Sequence, residues 1–176
     1  MKNNIILIGM PGCGKSTIGS ILARVLKNYT LFDIDSIIER TVGMTISEYF
    51  KKYSEDEFRK LEYDTIKLVC TGNNRIISIG GGAFENPDNR ATLLNFGKVF
   101  YLKSNVDVLY YRLSNDKLRP LLQNGNIQET LKNMLKKREE NYLKAHVVLE
   151  TDDLTENEIV EAILGNINET NSKCRN

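Results

Sequence analysis

The chain has 176 residues and a mass of 20.1 kDa, the size of one domain with a buried core. Its 24 basic and 23 acidic residues give a net charge of +1, which provides no overall field for binding nucleic acid or an anionic membrane. Three cysteines without C-x-x-C spacing and a single histidine argue against a disulfide framework, a structural zinc site and a multi-histidine metal centre. The apolar run 5–8 is too short for a signal peptide or a membrane span. We therefore predict a cytoplasmic domain without nucleic-acid or membrane partners.

Short apolar runs alternate with amphipathic stretches along the chain. The apolar runs that indicate buried strands are 4–8, 31–32, 75–79, 98–102 and 146–150. Helices are predicted after Gly14, at the capping-box patterns that begin with Thr45, Ser54 and Thr155, at Asn86-Pro87, and over 106–113 and 127–143. The segment 115–128, at the junction of the predicted helices 106–113 and 127–143, is the best candidate for a mobile loop. Strands separated by helices favour an α/β domain with a parallel sheet covered on both faces.

The sequence Gly9-Met-Pro-Gly-Cys-Gly-Lys-Ser16 matches the phosphate-binding pattern G-x-x-x-x-G-K-[ST] in full. A predicted strand precedes it and a predicted helix follows, so backbone N–H groups and the helix dipole would face a polyphosphate. Lys15 would reach the β- and γ-phosphates, and the Ser16 hydroxyl would bind Mg²⁺. A dinucleotide-binding fold is rejected, because the third glycine of its fingerprint would fall at Thr17. The domain is predicted to bind a nucleoside triphosphate with magnesium.

The rest of the chain narrows the class of nucleotide-binding protein. No N-K-x-D-type motif for reading guanine occurs, and the chain is too short for a large motor or helicase. The third strand is followed by three glycines, 80–82, where many such proteins carry a magnesium-binding aspartate. The carboxylates available at a strand end are Asp33 and Asp35. Small size, a candidate lid loop and an acid pair at a strand end indicate a kinase for a small molecule.

Seven markers then occur in order: 9–17; Phe32-Asp-Ile-Asp35 with Ile38-Glu39; 43–50; 58–62; Ile79-Gly-Gly-Gly-Ala83; Arg119-Pro-Leu-Leu122; and Arg138-Glu-Glu-Asn-Tyr142 with Ala145. Together they resemble the shikimate kinases, a small-metabolite branch of the nucleoside monophosphate kinase fold, from the first strand to about residue 151. The resemblance implies a three-layer α/β P-loop kinase fold with a five-stranded parallel sheet and helices on both faces. It implies one domain over 1–176, with a substrate-binding subdomain at about 34–62 and a lid at about 114–128.

The activity that the resemblance implies is transfer of the γ-phosphoryl group of ATP to the 3-hydroxyl of shikimate. The products would be 3-phosphoshikimate and ADP, in the biosynthesis of chorismate and aromatic amino acids. The partners would be shikimate and ATP with Mg²⁺ as cofactor, and the enzyme would be a cytoplasmic monomer.

The resemblance also implies an acceptor site. Arg59 and Arg138 would hold the shikimate carboxylate with bidentate forks, and Glu62 would orient Arg59 from the same helical face. Asp35 would bind the ring hydroxyls and could accept the proton of the attacking one. Three glycines would let backbone N–H groups touch the substrate: Gly80, Gly81 and Gly82.

On the nucleotide side, the residues implied to contact ATP within the loop are Gly12, Cys13, Gly14, Lys15, Ser16 and Thr17. Arg119, in the lid, would stabilise charge on the transferring phosphates as a catalytic partner of Lys15 and Asp35. Arg112 would pack on the adenine. Asp33 would reach Mg²⁺ through a water, or would only cap the following helix.

Alternatives remain for the function and for two residues. A gluconate kinase or nucleotide kinase of the same fold would share the loop and the core, so that only Asp35, Arg59 and Arg138 discriminate. A regulatory module that binds ATP without catalysis is disfavoured, because the residues that catalysis would need are intact. Cys13 is interpreted as a neutral filler, against the hypothesis of a reactive thiol whose alkylation blocks ATP binding. His146 is interpreted as structural.

Overall fold

The computed structural model describes residues 3–114 and 126–173, with side chains described as far as residue 167. Strands and helices alternate along these ranges. The strands are β1 (Ile5–Ile8), β2 (Thr30–Asp33), β3 (Arg75–Ser78), β4 (Lys98–Lys103) and β5 (Val147–Glu150). The α-helices are α1 (Lys15–Val25), α2 (Ile34–Val42), α3 (Ile46–Lys52), α4 (Glu55–Val69), α5 (Pro87–Phe96), α6 (Val106–Ser114), α7 (Ile127–Tyr142) and α8 (Glu156–Lys173). A 3₁₀ turn, Ala83–Glu85, precedes α5.

The strands form one parallel sheet in the order β2-β3-β1-β4-β5. The prediction of a five-stranded parallel sheet with helices is therefore confirmed. In this order β1 lies at the centre of the sheet. The next two strands of the chain, β2 and β3, lie on one side of β1, and the last two, β4 and β5, lie on the other side. Because the strands are parallel, the segments that follow β1, β2 and β3 meet at one edge of the sheet, where open α/β sheets bind ligands. The phosphate loop, Asp33 and the three glycines all lie at that edge.

Most helix starts use the side chains that the sequence predicts. Thr45 and Ser54 each accept a hydrogen bond from the backbone three residues later, and a glutamate there returns one, which forms two complete capping boxes. The Asn86 side chain accepts hydrogen bonds from backbone N–H groups in the first turn of α5, which begins at Pro87. Thr155 begins α8 with the same reciprocal pair. The helices are thus positioned by local sequence as well as by packing on the buried sheet.

None of the helices within the described ranges combines the length and the apolar composition that crossing a bilayer requires.

His146 connects the start of β5 to β4. The Val99 N–H donates to its Nδ1 at 3.0 Å, so the ring must be neutral at that atom. Burial and the nearby charge of Lys98 lower the pKa of His146 from its ordinary value of 6.5. This hydrogen bond agrees with the structural interpretation of the histidine.

We expect the free energy of unfolding to decrease as the pH falls below about 6.5, because the unfolded chain takes up a proton at the ordinary histidine pKa while the folded chain resists it. The stabilisation is fully present above that pH. Urea unfolding at about pH 8 and about pH 5.5 measures it. In His146→Asn, which keeps an acceptor but does not titrate, the decrease between the two pH values should be smaller. An equal decrease in the two proteins would contradict this role.

Candidate active site

The loop between β1 and α1 is shaped by glycines and ends in the first turn of a helix. Gly12 has φ 81° and Gly14, the N-cap of α1, has φ 93°, a left-handed conformation that favours glycine. A Cβ at Gly12 would lie 2.8 Å from Cγ of Leu113, so α6 packs directly against the loop. Backbone N–H groups at the start of α1 can therefore face an anion beside α6.

Lys15 folds across this loop. Its ammonium donates to the carbonyl oxygens of Met10 at 2.9 Å and Gly9 at 3.1 Å. The Sγ atom of Cys13 lies 3.6 Å away. A phosphate bound in the loop would compete with these acceptors for the ammonium, which is the positive charge that such a ligand requires.

Cys13 turns its side chain into the protein. The residue is 1% exposed, and a Cβ at Gly9 would lie 2.8 Å from its Sγ. Its backbone N–H donates to the Met10 carbonyl at 3.3 Å. This geometry favours the filler interpretation over a reactive thiol, and any contact of Cys13 with ATP would involve the backbone.

Ser16 and Asp33 join the loop to the end of β2. The Ser16 hydroxyl donates to Oδ2 of Asp33 at 2.7 Å, while Oδ1 accepts the N–H of Ser36 at 3.1 Å. Asp33 therefore caps α2 and faces the phosphate loop at the same time. Two neighbouring oxygen donors suit Mg²⁺, which usually takes few protein ligands and completes its shell with water and phosphate oxygens. No cluster of three or more His, Cys, Asp and Glu side chains suited to a metal occurs in the described part of the chain.

The turn after β3, residues 80–82, is called the glycine turn here. A Cβ at Gly80 would lie 2.6 Å from Oδ1 of Asp35 and 3.2 Å from Oε1 of Glu62. Gly80 thus lets two carboxylates, from α2 and α4, approach the backbone together. Burial raises the pKa of Glu62. The positive charge and the hydrogen bond of Arg59 act to lower this pKa, whereas the negative charge of nearby Asp35 acts to raise it further.

The other two glycines each face an arginine. A Cβ at Gly81 would lie 3.2 Å from Nη1 of Arg138, and one at Gly82 would lie 2.7 Å from both Nη atoms of Arg59. Every residue of the glycine turn is therefore opposed by a side chain that the resemblance assigns to the acceptor site. The structure brings Asp35, Arg59 and Arg138 to one turn from three different helices.

Arg59 is held by carboxylates on its own helix. Its Nη1 lies 2.9 Å from Glu62, whose side chain is 2% exposed, and its Nη2 lies 2.9 Å from the exposed Glu55. These pairs fix the guanidinium beside Gly82. Glu62 was expected to orient Arg59, whereas Glu55 was not anticipated; its position one helical turn earlier is the sequence signal that could have identified it.

One cavity of about 250 Å³ connects the phosphate loop with the glycine turn. Its lining residues are Pro11, Gly12, Gly14, Lys15, Ser16, Thr17, Asp35, Ser78, Gly81, Arg112 and Leu113. Arg112 reaches it from the exposed side of α6. Ser78 was missed from the sequence, although a polar residue that ends a buried strand before a glycine turn is a usable signal. Arg119 and most of the predicted lid lie outside the described residues.

Gly82→Ala is expected to raise the KM for the acceptor by about tenfold, because the new methyl group displaces the Arg59 guanidinium. The conflict is with the end of a flexible side chain, so the melting temperature should change little. Initial rates over a range of acceptor concentrations measure the effect. Gly43→Ala is the control for glycine removal, since nothing lies within 4 Å of its added Cβ, although φ 70° strains it. An unchanged acceptor KM in Gly82→Ala would contradict the assignment of Arg59.

Comparison with known proteins agrees with this geometry. The shikimate kinase family profile matches residues 11–168. The shikimate kinase of Thermodesulfovibrio yellowstonii is 38% identical over 161 residues, covering 92% of this chain and 92% of the relative. That of Geobacter sulfurreducens is 36% identical over 160 residues, covering 91% and 88%.

Solved structures show the same likeness. A shikimate kinase from Acinetobacter baumannii in complex with shikimate has a TM-score of 0.89 and 35% identity, with 97% of this chain and 95% of that chain covered. A gluconokinase from Sinorhizobium meliloti covers 99% and 96% with a TM-score of 0.68, but at 15% identity it shows the fold alone. The match of sequence over nearly the whole length separates these two relatives, and on that ground the chain belongs to the shikimate kinase family.

Proposed function

We propose that this protein transfers the γ-phosphoryl group of ATP to the 3-hydroxyl of shikimate, giving 3-phosphoshikimate and ADP on the route to chorismate and the aromatic amino acids. The observation that carries the proposal is the glycine turn. Its three successive residues are faced in turn by a carboxylate and two guanidinium groups, and it lies beside the cavity that contains the phosphate loop. Shikimate presents the complementary groups, one carboxylate and three ring hydroxyls.

The two arginines would hold the acceptor by its carboxylate. Arg59 and Arg138 approach the glycine turn at neighbouring residues, so both can face one anion. Glu62 and Glu55 restrict the rotation of Arg59, and a guanidinium that is already oriented loses less entropy when it binds. The carboxylate would thus fix which hydroxyl faces the nucleotide.

Asp35 would act on the attacking hydroxyl. It lines the cavity shared with Lys15, and its Oδ1 packs against Gly80. The 3-hydroxyl oxygen forms a bond to the γ-phosphorus, the bond to the β,γ-bridging oxygen breaks, and the hydroxyl proton passes to the Asp35 carboxylate. ADP carries away the bridging oxygen.

The phosphate side would be organised by the loop and its neighbours. Lys15 would contact the β- and γ-phosphates, backbone groups of 12–17 would surround them, and Arg112 would cover the adenine. Ser16 and Asp33 would hold Mg²⁺, which supplies charge neutralisation for the phosphates when bound. Arg119 stays a predicted catalytic residue. Monomeric state and cytoplasmic location stay predictions as well.

A coupled ADP-release assay tests the proposal. Purified protein with ATP is given shikimate, gluconate or a nucleoside monophosphate, each with and without Mg²⁺. We expect turnover with shikimate and Mg²⁺ only. Turnover with gluconate or a nucleotide would keep the fold and overturn the acceptor assignment. Magnesium-dependent ATP binding without turnover on any acceptor would favour the regulatory module.

A further inference from the structure

Tyr142 belongs to the last marker of the sequence, but the acceptor site described above gives it no role. It is the last residue of α7, one helical turn after Arg138, so the two side chains share a face of the helix. Its relative exposure is 0%. Most buried hydroxyl groups are hydrogen-bonded, and the Tyr142 hydroxyl bonds to the glycine turn.

The hydroxyl of Tyr142 joins two parts of the acceptor site. It donates to the carbonyl oxygen of Gly81, and it lies close enough to the Arg138 guanidinium for that positive charge to act on its pKa. Burial raises the pKa of Tyr142 far above its ordinary value, so the hydroxyl retains the proton that it donates. Because a trans peptide is planar, holding the Gly81 carbonyl also fixes the direction of the Gly82 N–H.

A second buried tyrosine provides a contrast at the same place. The rings of Tyr101, in β4, and Tyr142 pack with their centroids 4.9 Å apart, and both residues are 0% exposed. The Tyr101 hydroxyl, however, has no hydrogen-bond partner within the described ranges. The two side chains share chemistry, burial and packing and differ in what their hydroxyls bind.

We propose that Tyr142 is a positioning residue for the acceptor, locking Arg138 and the glycine turn into a single unit that receives the substrate carboxylate. The inference rests on the proposed function, since it concerns the same site. Without the hydroxyl, the Gly81–Gly82 peptide loses its anchor, and the Arg138 guanidinium that packs against Gly81 loses a fixed neighbour. Binding of shikimate then requires ordering both groups, whereas the contacts of ATP with the loop are unchanged.

The test compares Tyr142→Phe with Tyr101→Phe, which removes the same atom from the adjacent ring. Initial rates are measured against shikimate at saturating ATP and against ATP at saturating shikimate. Shikimate affinity is measured separately by isothermal titration, and melting curves establish that each variant is folded. In Tyr142→Phe we expect the KM and Kd for shikimate to rise about tenfold or more, with the KM for ATP within about twofold of wild type. Tyr101→Phe should match wild type in all three constants.

A selective loss of shikimate affinity in Tyr142→Phe alone supports the proposal. Equal changes in the shikimate and ATP constants would indicate general destabilisation and overturn it. Identical behaviour of the two variants, or a Tyr142→Phe chain that does not fold while Tyr101→Phe does, would also overturn it. Wild-type protein separates this result from the proposed function, because lack of shikimate turnover there contradicts the function before any variant is compared.

Discussion

Asp35→Asn is expected to lower kcat with shikimate by about 10²- to 10⁴-fold, while the KM for shikimate changes by only a few fold. The amide has the shape of the carboxylate and can still hydrogen-bond a ring hydroxyl, but it cannot accept the proton of the attacking one. Asp35 is suited to this role because it lines the cavity that contains Lys15 and packs against Gly80. A residue that only bound the acceptor would change KM instead.

The comparison requires a variant with the same change of charge. Asp64→Asn removes an exposed carboxylate from α4 and should leave both constants near wild type. Steady-state rates in the coupled assay and a melting curve for each variant complete the measurement. A kcat for Asp35→Asn within about threefold of wild type would exclude Asp35 as the proton acceptor.

Lys15→Met is the second change with a large expected effect, a fall in kcat/KM for ATP of about 10²- to 10³-fold. Methionine preserves the length and apolar stem of the side chain but removes the charge that would meet the β- and γ-phosphates. Among the residues that the structure describes, the ammonium bonds only to its own loop, at Gly9, Met10 and Cys13, so the fold should persist.

Lys27→Met, an exposed change of the same kind beyond α1, is the control and should behave as wild type. ATP titrations at saturating shikimate give kcat and KM for each protein. If Lys15→Met retains wild-type kcat/KM for ATP, phosphate recognition by this loop does not depend on the lysine, and the assignment is wrong.

Local sequence was sufficient to predict most of the framework. Buried parallel strands are continuous apolar runs, and helix starts depend on side chains within one turn, so the capping boxes at Thr45 and Ser54 could be read directly. The phosphate loop could also be predicted from local sequence, since its glycines and its lysine act through the adjacent backbone. The two interpretations of Asp33 could not be separated from the sequence. The structure shows that Asp33 caps α2 and also accepts a hydrogen bond from Ser16, and its contact with Mg²⁺ stays a prediction.

Contacts across the fold were beyond this reasoning. Three adjacent glycines indicate a tight turn, but nothing local reveals that Gly80 faces Asp35, that Gly81 faces Arg138 or that Gly82 faces Arg59. These pairings depend on how α2, α4 and α7 pack around the end of β3. Tyr142 illustrates the same limit, because its partner Gly81 is 61 residues away in sequence.

The claim that the glycine turn assembles a carboxylate-binding acceptor site is tested most directly by titrating the wild-type protein with shikimate and with its uncharged carboxamide. The ligands share the ring and all three hydroxyls and differ only in the group that Arg59 and Arg138 would hold. We expect the carboxamide to bind about 100-fold more weakly, because charge-assisted hydrogen bonds to two guanidinium groups are lost. Equal affinity for the two ligands would show that the arginines do not hold the acceptor.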